Sequence, residues 1–304
     1  MKRLAIIGCA LGLALGFALG LALAPAAFGQ DLPSVEYDGK HPVTLRYRDL
    51  TVTIDSVRGS APKARVPVVK GRLRDREVFS LKIEEGELEN PSAKARVVWL
   101  DRDAAYPQVV ITAYTGGAHC CTVTDIATMA ASDTWRVVKG PWLDGDGGFD
   151  FADIDHDGVQ EMISYDNSFL YAFASYADSF APMRIASFVG GEIKDVTGDP
   201  KYRDYLRGWV RDMEADARKD PALWHSNGFL GGWVAAKSLV GEVDDAWSRM
   251  LESYDRKSDW SMQECTTGAA LDKCPQDKLR DLTFPQALKK LMADGGYPLP
   301  KNGR

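Results

Sequence analysis

The sequence predicts an α+β fold: a mostly antiparallel β domain of propeller-blade-like repeats, followed by a small C-terminal helical domain. Three observations carry this. Between about residues 43 and 188, short β-rich runs recur between Gly, Pro, Asp and Ser, the spacing of all-β meanders. After Asp199 the punctuation becomes helical, with Asp-Pro pairs as starts and glycines as stops. The residues around Asp101 also echo those around Asp153 at an offset of 52 residues, about the size of one propeller blade.

Met1-Lys2-Arg3 is a short basic region, and the run from Leu4 to Gln30 carries no charge. Ala27-Phe28-Gly29 offers the small residues of a cleavage site, so residues 1–29 are read as a signal peptide. The run could also span a bilayer, with Gly8, Gly12, Gly16 and Gly20 on one helix face. A single early apolar run beside Lys-Arg is more often a cleaved signal. Export implies a periplasmic or secreted chain that touches the membrane only through this segment.

Residues 30–198 form the expected β domain, with runs at 50–55, 96–100, 108–113 and 134–138 as its clearest strands. Residues 199–304 form the helical part, where Asp199-Pro200 and Asp220-Pro221 each read as an N-cap with proline at the first helical position. Helices are expected over 229–239 and 242–254, meeting at Gly241, with a last one begun by Thr283 and Pro285 and stopped near Gly295-Gly296. Gly228, Gly231 and Gly232 would let another helix approach closely, and Phe229, Trp233, Leu239, Trp247, Met250 and Leu251 read as packing residues.

With 45% hydrophobic and 26% charged residues the chain is an ordinary folded protein. Its formal charge of −6, with four histidines, argues against a nucleic-acid partner. Removal of Cys9 with the signal leaves Cys120, Cys121, Cys265 and Cys274, an even number in an oxidising compartment. The simplest of three pairings joins Cys265 to Cys274 and Cys120 to Cys121. Thr115-Gly-Gly-Ala-His119-Cys120-Cys121 leaves three chemistries open: a disulfide, an activated thiolate, or a zinc or copper site.

The most specific motif is Asp153-Ile-Asp155-His-Asp157-Gly158-Val-Gln-Glu161. Alternating acids place three carboxylates inside one tight loop, where oxygen ligands suit a hard cation such as Ca²⁺. An EF-hand would carry Glu at the twelfth position, here Ser164, and would need helices on both sides where strands are expected. Between Lys139 and Arg184 there are nine acids, Asp144 and Asp150 among them, and no Lys or Arg. Such crowding calls for a cation or protons.

Acids in this pattern between strands resemble the calcium loop of FG-GAP or VCBS repeats, the blades of integrin-α-like propellers. The resemblance implies one calcium, with Asp153, Asp155, Asp157 and Glu161 as side-chain ligands and the Val159 carbonyl between them. It covers about residues 95–200, too little for a closed propeller, so an incomplete or divergent one is expected. The usual ninth-position Asp is Glu161 here, and the Asp101 loop has Ala105 and Tyr106 where it needs an acid and a glycine. The T-G-G-A-H-C-C stretch is similar to one in secreted bacterial proteins with VCBS-like repeats and implies no activity.

The function read from these features is calcium binding with a binding or scaffolding role toward a protein or glycan partner. The alternatives are a hydrolase using carboxylates in the span from Asp144 to Glu161, a thiol-redox protein using Cys120 and Cys121, or a carbohydrate-binding module. The last would use an aromatic strand face of Phe169, Tyr171 and Phe173. No serine-hydrolase, zinc-protease or nucleotide-loop motif is present in a persuasive context. His41, His156 and His225 read as surface residues.

Overall fold

A computed structural model describes residues 32–131, 134–145 and 148–301; the expected signal peptide lies outside the described residues. Strand β1 (Ser34–Tyr37) precedes an antiparallel meander of β2 (Val43–Tyr47), β3 (Leu50–Arg58), β4 (Arg65–Leu73) and β5 (Arg76–Lys82). A second sheet contains β6 (Ala93–Val98), β7 (Gln108–Tyr114), β8 (Cys120–Ala131), β9 (Thr134–Lys139) and β10 (Leu143–Asp144). Its order is β1-β6-β7-β8, with β9 and β10 both paired to β8. A third sheet is the meander β11 (Asp150–Ala152), β12 (Glu161–Tyr165), β13 (Met183–Val189) and β14 (Glu192–Asp195). The four runs singled out in the sequence fall in β3, β6, β7 and β9.

Strand alternation stacks these sheets. Along β7, Val109, Ile111 and Ala113 share a core with Leu50, Val52 and Ile54 of β3, while Val110 turns to a second core with Met162 and Phe188. Along β12, Met162 faces that second core and Ile163 joins the helices. β7 therefore reads as a continuous apolar run because both of its faces are covered. The 52-residue repeat corresponds to the hairpins β6–β7 and β11–β12, and its mates Val110 and Met162 lie in the same core. Among the described residues no sheets close into a ring.

Pro200–Tyr202 is a short 3-10 turn, capped by the Asp199 side chain accepting from the Lys201 N–H, and leads into α1 (Arg203–Lys219). Leu206, Val210, Met213 and Ala217 form the buried stripe of α1. Asp220-Pro221 opens another 3-10 turn, and it is Ser226 that caps α2 (Asn227–Leu239). Gly241, at φ +86°, separates α2 from α3 (Val243–Ser253). A hairpin of β15 (Met262–Cys265) and β16 (Leu279–Leu282) then precedes α4 (Phe284–Asp294), which starts with a Thr283–Gln286 capping box. No helix among the described residues is long and apolar enough to cross a membrane.

Helices begin where the sequence changes texture, and one core runs across that point. Ile163, Met183 and Ile185 of the third sheet pack with Phe229, Leu230 and Met250. The glycines of α2 admit a loop, not a helix. A Cβ on Gly232 would lie 2.1 Å from the Phe180 carbonyl oxygen, and one on Gly228 2.3 Å from that of Asp178. The same layer is tied to the chain's end by Asp166. Its Oδ2 accepts from Tyr297 Oη at 2.7 Å and from Arg184 Nη2 at 2.8 Å, and Arg184 also donates to the Gly295 carbonyl at 2.9 Å.

The sulfurs of Cys265 and Cys274 lie at bonding distance, as do those of Cys120 and Cys121. Non-reducing peptide mapping is expected to recover a Cys265–Cys274 link with none from Cys120 or Cys121 to either. Replacing Cys265 by Ser should lower stability by about 3 kcal/mol, the chain-entropy value for so short a loop, measured by urea unfolding. Recovery of a long-range link would overturn the pairing.

Candidate functional site

The acidic loop joins β11 to β12, so strands flank it as expected. His156 at φ +58° and Gly158 at φ +94° fold the loop back on itself. Its carboxylates then collect the loop amides. Asp153 accepts from the Asp157 and Gly158 N–H groups at 3.0 and 3.1 Å, Asp155 from Asp157 at 3.2 Å, and Asp157 from Val159 at 3.0 Å. Glu161 opens β12 and is only 3% exposed. It accepts from the Ile154 N–H at 2.8 Å and from Tyr202 Oη at 3.0 Å. Burial first, then the nearby charges of Asp155 and Asp157, hold its carboxyl above the usual range in spite of those two hydrogen bonds.

One oxygen each from Asp153, Asp155 and Glu161 lie within 4.8 Å of one another, and no other such His, Cys, Asp or Glu group occurs among the described residues. Asp157 is not in this trio, because its carboxylate faces Arg102 Nη2 at 2.8 Å. Val159 is half-buried with its N–H turned toward Asp157.

The sequence count of nine uncompensated acids misses partners that arrive from elsewhere. Lys201, from the turn before α1, places Nζ 2.6 Å from Asp155 Oδ2. Burial raises the Asp155 carboxyl, but the Lys201 contact outweighs it and the net shift is downward. Arg102 sits on Asp157 and Arg184 on Asp166. Lys201 lies 46 residues from its partner in the chain, so no local count could reveal it. The echo at Asp101 is a turn whose carboxylate accepts from the Asp103 and Gly190 N–H groups, both at 3.0 Å.

A second arrangement surrounds His119. Its Nδ1 lies 3.1 Å from Asp144 Oδ1 and its Nε2 lies 2.7 Å from Tyr171 Oη. The ring stacks on Tyr176 at 4.0 Å between centroids. The tautomer with hydrogen on Nδ1 satisfies both contacts: His119 donates to Asp144 and accepts from the Tyr171 phenol. Tyr171 holds φ +59°, an uncommon conformation for a bulky side chain.

The aromatic strand face expected at 169–173 is not a strand. Asp166 caps a 3-10 turn at Asn167–Phe169 by accepting from the Ser168 N–H, so the two-residue alternation breaks. Phe169 and Phe173 enter the helical core while Tyr171 points outward. The Cys121 N–H donates to Thr115 Oγ1 at 3.0 Å, and neither Cys120 nor Cys121 joins a metal-competent group. His225 contacts the Ser253 carbonyl at 3.0 Å, while His41 and His156 are exposed.

These features describe a layered α+β protein with an acidic hairpin loop and a histidine-centred cleft. The chain belongs to the family of the probable thylakoid lumen protein sll0997 of Synechocystis sp. (strain ATCC 27184 / PCC 6803 / Kazusa), being 34% identical to it over 233 residues, which are 76% of this chain and 68% of that protein. It is also 38% identical over 277 residues, 90% of its length, to the uncharacterized protein y4bJ of Sinorhizobium fredii (strain NBRC 101917 / NGR234), of which it spans 43%. The family model described as the sll0997 C-terminal domain matches residues 203–296, the span from α1 to the end of α4. No solved structure matches the chain.

Proposed function

We propose that this chain is an extracytoplasmic calcium-binding protein with a binding or scaffolding role toward a protein or glycan partner. The observation that carries the reading is the convergence of Asp153, Asp155 and the nearly buried Glu161 within 4.8 Å of one another. Hard cations take such carboxylate oxygens at ~2.3–2.6 Å. Calcium would displace Lys201 from Asp155, and Asp157 with the Val159 carbonyl would complete the shell once Arg102 gives way, as in an FG-GAP or VCBS loop. Export is supported by the uncharged N-terminal run and by the lumenal description of the sll0997 relative.

Thermal unfolding with and without calcium tests this. At 100-fold excess over the dissociation constant, calcium should stabilise the fold by ~2.7 kcal/mol, and chelation should reverse the shift. Asp153→Asn should remove most of the response, whereas Asp101→Asn should keep it. Lys201→Met should strengthen it, since calcium then meets no resident ammonium. An equal response in the parent chain and in Asp153→Asn would show that the loop is only an acidic turn.

A further inference from the structure

We propose that the two clefts beside the stacked His119 and Tyr176 rings form one binding site for a neutral oligosaccharide. The larger cleft, about 800 Å³, is lined by Tyr37, Lys94, Tyr114, His119 and Tyr176 among others. The smaller, about 240 Å³, is lined by Asp144, Tyr165, Asn167, Tyr176 and Trp209 among others. Tyr176 lines both, and the adjacent residues Asp144 and Gly145 line one each, so the clefts adjoin at Tyr176. Volumes of this order suit small ligands.

The lining selects the ligand class. Tyr114, Tyr165, Tyr176 and Trp209 line the groove. The C–H face of a sugar ring packs on an aromatic face, while its hydroxyls need polar groups at the rim. Ser164 and the Asp144 carboxylate, whose Oδ1 already meets His119 and the Gly145 N–H, supply those in the smaller cleft, where Asn167 and Ser179 are held by backbone groups. An anionic ligand is disfavoured. Among the described lining residues Lys94 is the one Lys or Arg, and its Nζ already lies 2.8 Å from Glu36. Carboxylate and hydroxyl side chains stand beside the aromatic rings in both clefts, Glu36 and Ser92 in the larger and Asp144 and Ser164 in the smaller, and an acyl chain would offer them no hydrogen bond.

The platform is also preorganised, which limits the ordering cost of binding. His119 is held from both ring nitrogens by Asp144 and Tyr171, and it backs Tyr176 over its face. The loop bearing Tyr176 is seated on α2 through the close approaches at Gly228 and Gly232. None of these groups belongs to the acidic hairpin loop, so the site stands apart from the calcium reading.

Titration of the purified chain with cellotetraose and with chitotetraose, in chelator and followed by tryptophan fluorescence, tests the proposal. At least one sugar should give a saturable change at a concentration between ~0.1 and 1 mM. Tyr176→Ala and Trp209→Ala should each weaken it about tenfold, Tyr176→Phe should preserve it, and Trp260→Ala, which removes an exposed ring outside both clefts, should leave it unchanged. Circular dichroism of each variant controls for folding. No saturable change with either sugar up to ~10 mM, or equal affinity in folded Tyr176→Ala and Trp209→Ala, would overturn the assignment.

Discussion

Asp166→Ala is expected to lower unfolding free energy by about 3 kcal/mol, because removing one partner of a buried pair takes from the other charge its most buried counter-ion. Asp166 and Arg184 side chains are 14% and 22% exposed, and the Arg184 guanidinium lies over the Tyr297 ring at 4.2 Å. Without the carboxylate, Arg184 keeps the Gly295 carbonyl and a more exposed contact with Asp195 at 3.3 Å, while the buried Tyr297 hydroxyl loses its acceptor. Tyr297→Phe should cost only about 1 kcal/mol, the ordinary worth of one hydrogen bond. The double variant should fall short of the sum, since the two changes share one network.

The same site sets a pH dependence whose direction follows from its shift. Burial raises the Asp166 carboxyl, but hydrogen bonds from Ser168, Tyr297 and Arg184 outweigh it and the net shift is downward. A carboxyl lowered by folding contributes stability that is fully present above its unfolded pKa and is lost as pH falls through its folded pKa. Urea midpoints of the parent chain should therefore fall below about pH 4, and Asp166→Asn should flatten that acid limb. A parent and variant with parallel acid limbs would remove Asp166 from the account.

Legibility in the sequence followed the range of the signal. Asp199, Thr283 and Gly241 act within one helical turn: the helix ends that Thr283 and Gly241 imply lie within two residues of those observed, and Asp199 caps the 3-10 turn that leads into α1. The loop of Asp153 to Glu161 was equally local, and its hairpin stands as read. Helix α1 was readable as well, from Leu206, Val210, Met213 and Ala217 on one face, though only its start was singled out. Failures came from contacts between distant segments. Arg102 and Lys201 reach the acidic loop from other elements, so a charge count along the chain overstated its isolation. The alternating neighbours of Tyr171 imply a strand, but the capped turn at Asp166 overrides that alternation. Sequence alone pairs His119 with its neighbour Cys120, whereas its ring partners Asp144 and Tyr171 are 25 and 52 residues away.

The α2 glycines make the same point energetically, through one substitution with two opposite results. Gly→Ala inside a helix ordinarily stabilises by about 1 kcal/mol, since alanine loses less backbone entropy. Gly208 in α1 meets that condition: a Cβ there would find only the Arg211 guanidinium, at 3.8 Å. Gly208→Ala should raise stability by roughly 0.5–1 kcal/mol. At Gly232 the Cβ would stand 2.1 Å from the Phe180 carbonyl oxygen and 2.6 Å from its carbon. Those are backbone atoms, so relief requires moving the loop off α2 rather than rotating a side chain. Overpacking of this kind costs about 1–3 kcal/mol, against which the helical gain is small, and Gly232→Ala should destabilise by about 2 kcal/mol net. Because that loop carries Tyr176, the variant should also loosen the His119 stack, seen as faster amide exchange across residues 171–180. A Gly232→Ala chain as stable as Gly208→Ala would mean that the loop does not rest on α2.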